Sequence, residues 1–325
     1  MLKALFATTL AATLLYGAGA QAQEKVKLRL GHVNNLTNPA GVGSTKFRDT
    51  AKELSNGQVE IELFPNGQLG GELDMVSQIR LGTLDLAMIG SGIVAAVEPT
   101  FSVTELPYIW NSGDSAWATL TGPVGQKILA SLEPKGIKGL GWGIWGFRGF
   151  LVNSKPIHSP DDLKGVKIRV IENPVYVQTM RALGANPVPM AWPEVYTGLQ
   201  QGTVNGVDTN YAGMRDTKLY EVAKNLTVAD HIYTATVYIA NLPKFQSLSK
   251  PHQEVILKSA KAAGEAMRQS ADQLNDDAIA QMEKQGVTII RPNRAAFVEK
   301  VQPVHKSFAT IVGPDLLQQV KDAQK

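Results

Sequence analysis

The sequence predicts an α/β fold in which helices cover a largely parallel sheet. Between residues 25 and 90, segments with apolar residues at every second position alternate with segments whose apolar residues recur three and four apart. The run LDLAMIG, at 84–90, is almost continuously apolar, as in a strand buried on both faces. A second β-α-β alternation follows at 161–213. Such alternation is typical of parallel sheets covered by helices, and the chain is long enough for two domains.

The first half of the chain supplies a β-α-β-α-β series. In chain order the patterns predict a strand over 25–33, a helix over 44–57, a strand over 58–64, a helix over 72–82 and a strand over 84–90. Asn56-Gly57 and Gly82 end the two helices, because glycine readily adopts the left-handed conformation found there.

The second half repeats the pattern with longer elements. It predicts a helical region over 115–136 with a break at Gly122-Pro123, glycine-rich strand structure over 137–154, a strand over 166–170, a helix over 173–184, a strand over 185–190, a helix over 192–202, a strand within 203–213 and a strand over 232–245.

A long helical pattern follows at 250–286, with Pro251 suited to its first turn and Gly286 to its end. At about 1.5 Å per residue such a helix spans about 54 Å, so we expect it to bridge two domains. A short strand, VTIIRP, and a terminal helix complete the predicted elements.

The N-terminus indicates export. Lys3 precedes an apolar run at 4–16, and AQA at 20–22 fits an A-x-A cleavage site. We therefore expect residues 1–22 to be a signal peptide, with the mature chain beginning near Gln23. The run is too short for a membrane span. An exported protein without cysteine that is large enough to need no disulfides suggests the periplasm.

Composition and motifs exclude several classes of function. A formal net charge of +3, or +2 without Lys3, and the lack of a basic cluster argue against nucleic-acid binding. The five histidines lack metal-ligand spacing, and neither a P-loop nor a G-x-S-x-G motif occurs. GWGIWG, at 141–146, matches a dinucleotide motif, but strand-like FLVNS follows where a helix is required. We expect no metal, no cofactor and no catalytic group.

Arg169 is the most informative single residue. In VKIRV (166–170) Val166, Ile168 and Val170 alternate with charged residues, so Arg169 lies at the carboxyl end of a half-buried strand. Ligands of open α/β sheets bind at that edge, and a guanidinium matches the geometry of a carboxylate. Arg169 is therefore a candidate anion ligand, with a salt bridge between domains to Asp208 or Glu172 as the alternative.

Three stretches and the long helix resemble the solute-binding proteins of tripartite ATP-independent periplasmic (TRAP) transporters. The stretches are LFPNGQLGGELDMVSQIRLGTLDLAMIG, GFRGFLVNSKPIHSPDDLKGVKIRV and GANPVPMAWPEVYTGLQQGTVNGVD. The resemblance covers the mature chain. It implies a two-lobed periplasmic binding protein fold with crossing strands and a long lobe-spanning C-terminal helix. The expected lobes are 23–146 with 236–275, and 147–235 with 276–325.

The resemblance also implies site residues. Arg169 would hold the carboxylate of a small organic acid, and Arg148 in the G-F-R turn would assist it. Asp208 and Asn210 lie where the family has a polar contact, although Thr209 replaces an expected asparagine. Glu72 matches a position that contacts hydroxyls in sugar-acid binders.

Each of these residues has an alternative role. Arg148 suits a structural ion pair, Asn210 a turn, and Glu72 the first turn of a helix, where the dipole favours an acid. Asp208 suits either ligand hydroxyls or the orientation of Arg169.

Three further candidates come from position in the sequence. His32 ends the first strand, Asn35 follows it, and Trp145 is a possible wall of the pocket. Ile144-Trp145 also replaces a Glu-Asn pair of many relatives, which weakens the prediction of a highly hydroxylated uronate and favours a smaller or partly apolar acid.

The sequence therefore predicts a monomeric periplasmic binding protein that captures a small carboxylate, such as a sugar acid, and delivers it to the membrane subunits of a TRAP permease. Two alternatives stay open. One is an exported lyase or hydrolase with His32, Glu72 or Asp208 as general base. The other is a sensory binding protein that presents its ligand to a membrane receptor.

Overall fold

The computed structural model describes residues 25–324. The strands in this part of the chain are β1 (Val26–Gly31), β2 (Val59–Phe64), β3 (Leu86–Gly90), β4 (Ile137–Val152), β5 (Lys167–Val170), β6 (Asn186–Pro189), β7 (Gly206–Asn210), β8 (Asn225–Thr227), β9 (Tyr233–Asn241) and β10 (Thr288–Ile290).

The α-helices are α1 (Pro39–Leu54), α2 (Glu72–Leu81), α3 (Ser91–Val94), α4 (Gly113–Thr121), α5 (Pro123–Ala130), α6 (Pro174–Ala182), α7 (Val195–Gln200), α8 (Tyr211–Asp216), α9 (Leu242–Ser247), α10 (Lys250–Lys284), α11 (Arg294–Val312) and α12 (Pro314–Asp322). Short 3-10 helices lie at Pro99–Glu105, Glu133–Lys135, Pro160–Leu163, Trp192–Glu194 and Leu219–Glu221. None of the helices within residues 25–324 combines the length and the apolar character needed to cross a membrane.

Two sheets form the frame of the molecule. The first sheet has the order β2-β1-β3-β9-β4, in which β1 pairs in parallel with β2 and β3, and β9 is antiparallel to both neighbours. The second sheet contains β4, β7, β5 and β6, and β8 joins β4 to β10. The predicted α/β class is confirmed, and the two halves built on these sheets are called the first and second lobes below.

Strand β4 belongs to both sheets. Its segment from Ile137 to Phe147 pairs with β9, and its segment from Arg148 to Val152 pairs with β7 and β8. The register shifts between Ile144 and Gly146, and Gly146 has a φ of +103°. A Cβ at Gly146 would lie 2.5 Å from the Nδ2 of Asn275, so both the backbone conformation and the close approach require glycine. The predicted crossing strand is therefore present, with its irregularity where the two sheets meet.

Helix α10 connects the two lobes. It has 35 residues, begins after the side-chain cap of Ser249 and places Pro251 in its first turn. It packs against α1 of the first lobe, against the shared strand β4, and against α8 of the second lobe. The prediction of one long bridging helix is confirmed.

Two element boundaries differ from prediction for local reasons, and the single terminal helix that was expected is two helices, α11 and α12, separated at Gly313, which has a φ of +85°. Helix α1 begins five residues early, at Pro39, because the Asn38 side chain accepts the backbone N–H of Ala40 and caps the helix. The strand expected over 232–245 ends at Asn241, whose side chain accepts the N–H of Lys244 and starts α9. The expected signal peptide lies outside the described residues, and the lobe boundaries stay predictions.

Candidate functional site

A cavity of about 20 Å³ lies where the two sheets approach each other. Strands β1, β5 and β7 all end beside it, as expected for a ligand site in an α/β protein. Its lining residues are Val33, Asn34, Glu72, Trp145, Arg148, Arg169, Ile171, Trp192, Thr209 and Asn210. In this arrangement the cavity has room for about one water molecule, so any organic ligand requires the lobes to move apart.

Arg169 is a buried guanidinium at the end of β5. Its Nε donates to the backbone carbonyl of Met190 at 2.9 Å, and its guanidinium lies 5.3 Å from the ring centre of Trp192. Among residues 25–324 no carboxylate forms an ion pair with it. Burial, and secondarily the nearby Arg148, lower the pKa of Arg169 to about 10. The side chain stays charged at neutral pH, and its buried charge favours an incoming anion.

Arg148 is already paired. Its Nε donates to Asp208 Oδ1 at 2.8 Å, and its Nη2 donates to the Asp208 backbone carbonyl at 2.6 Å. His231 Nε2 lies 3.2 Å from the same carboxylate oxygen. The pKa of Asp208 falls to about 2 because Arg148 and then His231 outweigh the effect of burial. The alternative of a structural ion pair for Arg148 therefore matches the geometry, although the guanidinium also lines the cavity.

A buried series of contacts continues from Arg148 into the first lobe, first a cation–π contact and then hydrogen bonds. The guanidinium lies 4.9 Å from the ring centre of Tyr176, and the Tyr176 hydroxyl donates to Glu105. Ser91 and Thr104 also donate to the Glu105 carboxyl. Because Tyr176 lies on α6 of the second lobe and Glu105 follows β3 of the first, this series of contacts links the two lobes beneath the cavity.

We expect Tyr176→Phe to lower the free energy of unfolding by about 1–3 kcal/mol, because one buried Glu105 oxygen loses its donor. Urea unfolding at pH 7 measures this change. Tyr196→Phe is the matched control, since the Tyr196 hydroxyl donates to Glu221 at the protein surface and we expect its removal to cost under about 0.5 kcal/mol. Equal changes in the two variants would contradict the assigned role of the Tyr176–Glu105 bond.

Glu72 lies opposite the two arginines. It is the first residue of α2, and its Oε1 accepts the backbone N–H of Gly90 at 2.7 Å. Burial raises the pKa of Glu72 to about 7, while the Gly90 hydrogen bond, Arg169 and Arg148 oppose the increase. The side chain thus changes between carboxylic acid and carboxylate near neutral pH. Both of its predicted roles, first-turn acid and pocket residue, match this position.

Two cavity residues carry polar atoms without partners in the described chain. The Nε1 of Trp145 and the Oδ1 of Asn34 are buried and form no hydrogen bond with any of residues 25–324. Asn210 also lines the cavity, and its Nδ2 donates to the Trp145 carbonyl at 3.4 Å. The same carbonyl accepts from Asn275 of α10 at 2.8 Å, which fixes the backbone of Trp145. A donor and an acceptor are therefore available to a ligand.

The structure brings together five of the predicted residues, Arg169, Arg148, Asn210, Glu72 and Trp145. Asp208 lies behind Arg148 and does not line the cavity. His32 is fully buried outside the lining, and burial lowers its pKa to about 4. Asn35 uses its Oδ1 to accept the backbone N–H groups of Thr37 and Asn38, ahead of α1.

Asn35 lines an outer cavity of about 160 Å³ instead, which shares Val33, Asn34 and Trp192 with the inner one. Four lining residues were missed as site residues: Val33, Ile171, Trp192 and Thr209. Asn34, which precedes Asn35 in the loop after the first strand, was only a weaker candidate. Val33, Ile171 and Thr209 lie within two residues after a strand or at its end, a signal that the sequence offered. Trp192 contacts Arg169 from a 3-10 turn and gave no such signal.

Among residues 25–324 no group of three or more His, Cys, Asp or Glu side chains is placed to hold a metal ion. The cavity instead offers one unpaired guanidinium, one acid that titrates near neutral pH, unpaired neutral groups and apolar walls. Chemically, such an arrangement suits the binding of a small organic anion.

Comparisons with known proteins agree with this geometry. The family model described as bacterial extracellular solute-binding protein, family 7, matches residues 30–311. The 2,3-diketo-L-gulonate-binding periplasmic protein YiaO of Escherichia coli is 33% identical over 325 residues, covering 99% of this chain and 98% of the relative. The C4-dicarboxylate-binding periplasmic protein DctP of Rhodobacter capsulatus is 31% identical over 307 residues, and the match covers 92% of this chain and 91% of the relative.

A solved TRAP periplasmic solute-binding protein from Polaromonas, bound to D-erythronate, superposes with a TM-score of 0.89. It is 29% identical, and the match covers 91% of this chain and 98% of that one. The two-lobed architecture expected from the sequence is thereby confirmed.

Proposed function

This chain belongs to family 7 of the bacterial extracellular solute-binding proteins, and we propose that it captures a small organic acid between its lobes and delivers it to a TRAP permease. Its relatives include periplasmic proteins named for binding a sugar acid and C4-dicarboxylates. The observation that carries the proposal is Arg169, a buried guanidinium at the cavity between the lobes that has no carboxylate partner among residues 25–324.

The ligand carboxylate binds Arg169 in this proposal. A carboxylate accepts two parallel hydrogen bonds from a guanidinium, and the pairing is strong where water is excluded. The guanidinium carbon lies 5.3 Å from the ring centre of Trp192, a cation–π contact that stabilises the charged side chain. Glu72 and Asn34 come from the first lobe, and Arg169, Thr209 and Asn210 from the second. A ligand that contacts both sets favours the closed arrangement over the open one.

Export and partners complete the proposal. Residues 1–22 act as a signal peptide that is cleaved, and the mature chain works in the periplasm as a monomer. The closed, ligand-bound shape is what the membrane subunits recognise. The acid is released unchanged, so the protein is a binding protein and not an enzyme. Relatives named as binding proteins support this last point.

The test is thermal unfolding of the mature protein with a panel of acids: sugar acids, C4-dicarboxylates and simple monocarboxylates. A ligand that binds only the native state stabilises it by about 2.7 kcal/mol at a hundred times its Kd, so we expect the midpoint to rise with one class of acid. Galactose, a neutral sugar, is the control. NMR of the acid after incubation checks that it is unchanged. If no acid raised the midpoint, or if the acid were converted, the proposal would fail.

A further inference from the structure

The charges and the unpaired polar atoms of the cavity narrow the class of ligand. We infer that the site takes a monocarboxylate that carries a hydroxyl group, and that it rejects dicarboxylates. The inference rests on the proposed function, because it takes Arg169 as the carboxylate anchor. It goes further because it fixes how many charges the ligand has and what stands beside its carboxylate.

The positive charge available to a ligand is limited to one unit. Arg148 and Asp208 form a buried pair, in which the aspartate contacts the guanidinium through both its side chain and its backbone carbonyl. The two charges cancel within the pair. His32 is neutral at pH 7, because burial lowers its pKa to about 4. Arg169 is then the unmatched cation among the described residues that line the cavity.

Negative charge surrounds that single cation. Glu72 lines the cavity, and Glu172 is close enough to Arg169 for their charges to interact. When Glu72 is protonated the lining carries one net positive charge, and when it is ionised the net charge is zero. A second ligand carboxylate would be buried without a cation in either state, which is costly.

The neutral groups specify the rest of the ligand. The Trp145 Nε1–H needs an acceptor and the Asn34 Oδ1 needs a donor. A hydroxyl group offers both functions. Val33, Ile171 and the two indole rings of Trp145 and Trp192 supply apolar walls, which suit the carbon skeleton of the ligand.

Isothermal titration of the mature protein with three four-carbon acids tests the inference. D-Erythronate has one carboxylate and hydroxyl groups, butyrate has one carboxylate alone, and succinate has two carboxylates. We expect erythronate to bind at least about tenfold more tightly than butyrate, since butyrate leaves buried polar groups unpaired. We expect succinate to bind at least about 100-fold more weakly than erythronate, since its second charge is unmatched.

Glu72→Gln separates charge from shape. The amide keeps an oxygen for the Gly90 N–H but cannot ionise. At pH 8, where a Glu72 with a pKa of about 7 is mostly ionised, we expect succinate to bind this variant up to about tenfold more tightly than it binds the unaltered protein, and at pH 6 about equally, because the amide removes a repulsive charge that only the ionised acid carries. Glu60→Gln is the matched control, since Glu60 lies half exposed on β2 and pairs with Lys25 at 3.7 Å; we expect it to leave all three affinities unchanged.

Trp145→Phe is a second variant that keeps an aromatic wall and removes the N–H. We expect it to reduce the preference for erythronate over butyrate. If succinate bound the unaltered protein as tightly as erythronate, the charge argument would be overturned while the proposed function stood. Equal binding of erythronate and butyrate would overturn the hydroxyl argument alone. If none of the three acids bound the unaltered protein, the acid of the thermal-unfolding panel that raises the midpoint decides: a dicarboxylate or an acid without hydroxyl groups would overturn the inference and leave the proposed function standing, and no binding by any acid of the panel would overturn both.

Discussion

Replacing Arg169 by alanine is expected to weaken binding of the cognate acid at least about 100-fold, because a buried charge-assisted pair contributes about 2–5 kcal/mol when one partner is removed. Arg169→Lys keeps the charge but loses the planar fork, so it should recover only part of the affinity. Isothermal titration at pH 7 measures both changes. The effect should appear mainly as faster dissociation, as is usual for contacts formed within a closed site.

In contrast to its effect on ligand binding, Arg169→Ala is expected to have little effect on the stability of the ligand-free protein. Arg169 has no ion-pair partner in the described part of the chain, so its removal should leave the free energy of unfolding unchanged or slightly higher. Arg48→Ala is the matched control, since Arg48 pairs with Asp49 at the surface, at 2.8 Å, and has no contact with the cavity. If Arg169→Ala bound the acid normally, Arg169 would not be the anchor. If the Arg169→Ala variant unfolded at a much lower denaturant concentration than the unaltered protein, the role of Arg169 would be structural.

Asp208→Asn is expected to have the largest effect on stability. The change leaves the Arg148 guanidinium buried without its counter-charge, and breaking a buried ion pair in this way costs about 3–5 kcal/mol. Urea unfolding at pH 7 measures the loss. The double variant Arg148→Met/Asp208→Asn should be more stable than Asp208→Asn alone, because it removes the orphaned charge. If the double variant were no more stable, the loss would not come from the unpaired arginine.

The same pair predicts a dependence on pH. The folded-state pKa of Asp208 is lowered to about 2, chiefly by Arg148, whereas an unfolded aspartate titrates near 3.9. A lowered pKa means that the ionised form stabilises the fold. The contribution is complete above pH 5 and is lost as the pH falls through the interval from about 4 to 2. The difference in unfolding free energy between the unaltered protein and Asp208→Asn should therefore shrink in that interval. A constant difference would contradict the shift.

The sequence predicted the elements well where hydrophobic period and end signals agreed. The long helix, the break at Gly122-Pro123 and the strand nature of GWGIWG all match the structure. Arg169 was predictable because it ends a strand whose alternation is clear. Such signals are local, and they place a residue on an edge without knowledge of its neighbours.

The site details depended on contacts between distant strands. Asp208 pairs with Arg148 because β7 is antiparallel to β4, with Phe150 opposite Asp208 and Arg148 opposite Asn210. No periodicity reveals that register, so the sequence left Asp208 between two roles. The contact between Trp192 and Arg169 could not be read from the sequence either, because it depends on a 3-10 turn that brings Trp192 to the end of β5.

The shared strand β4 also has a consequence for evolution and engineering. Proteins of many kinds gain new functions by exchanging whole domains across a flexible linker. Here the connection between the lobes is strand β4, which is hydrogen-bonded in both sheets. Cutting β4 would remove a strand from each sheet and expose unpaired strand edges that are prone to aggregation. The two lobes are thus not interchangeable modules. Substitutions at the cavity change the ligand contacts while leaving the shared strand intact, so they are the route to new specificity that preserves both sheets.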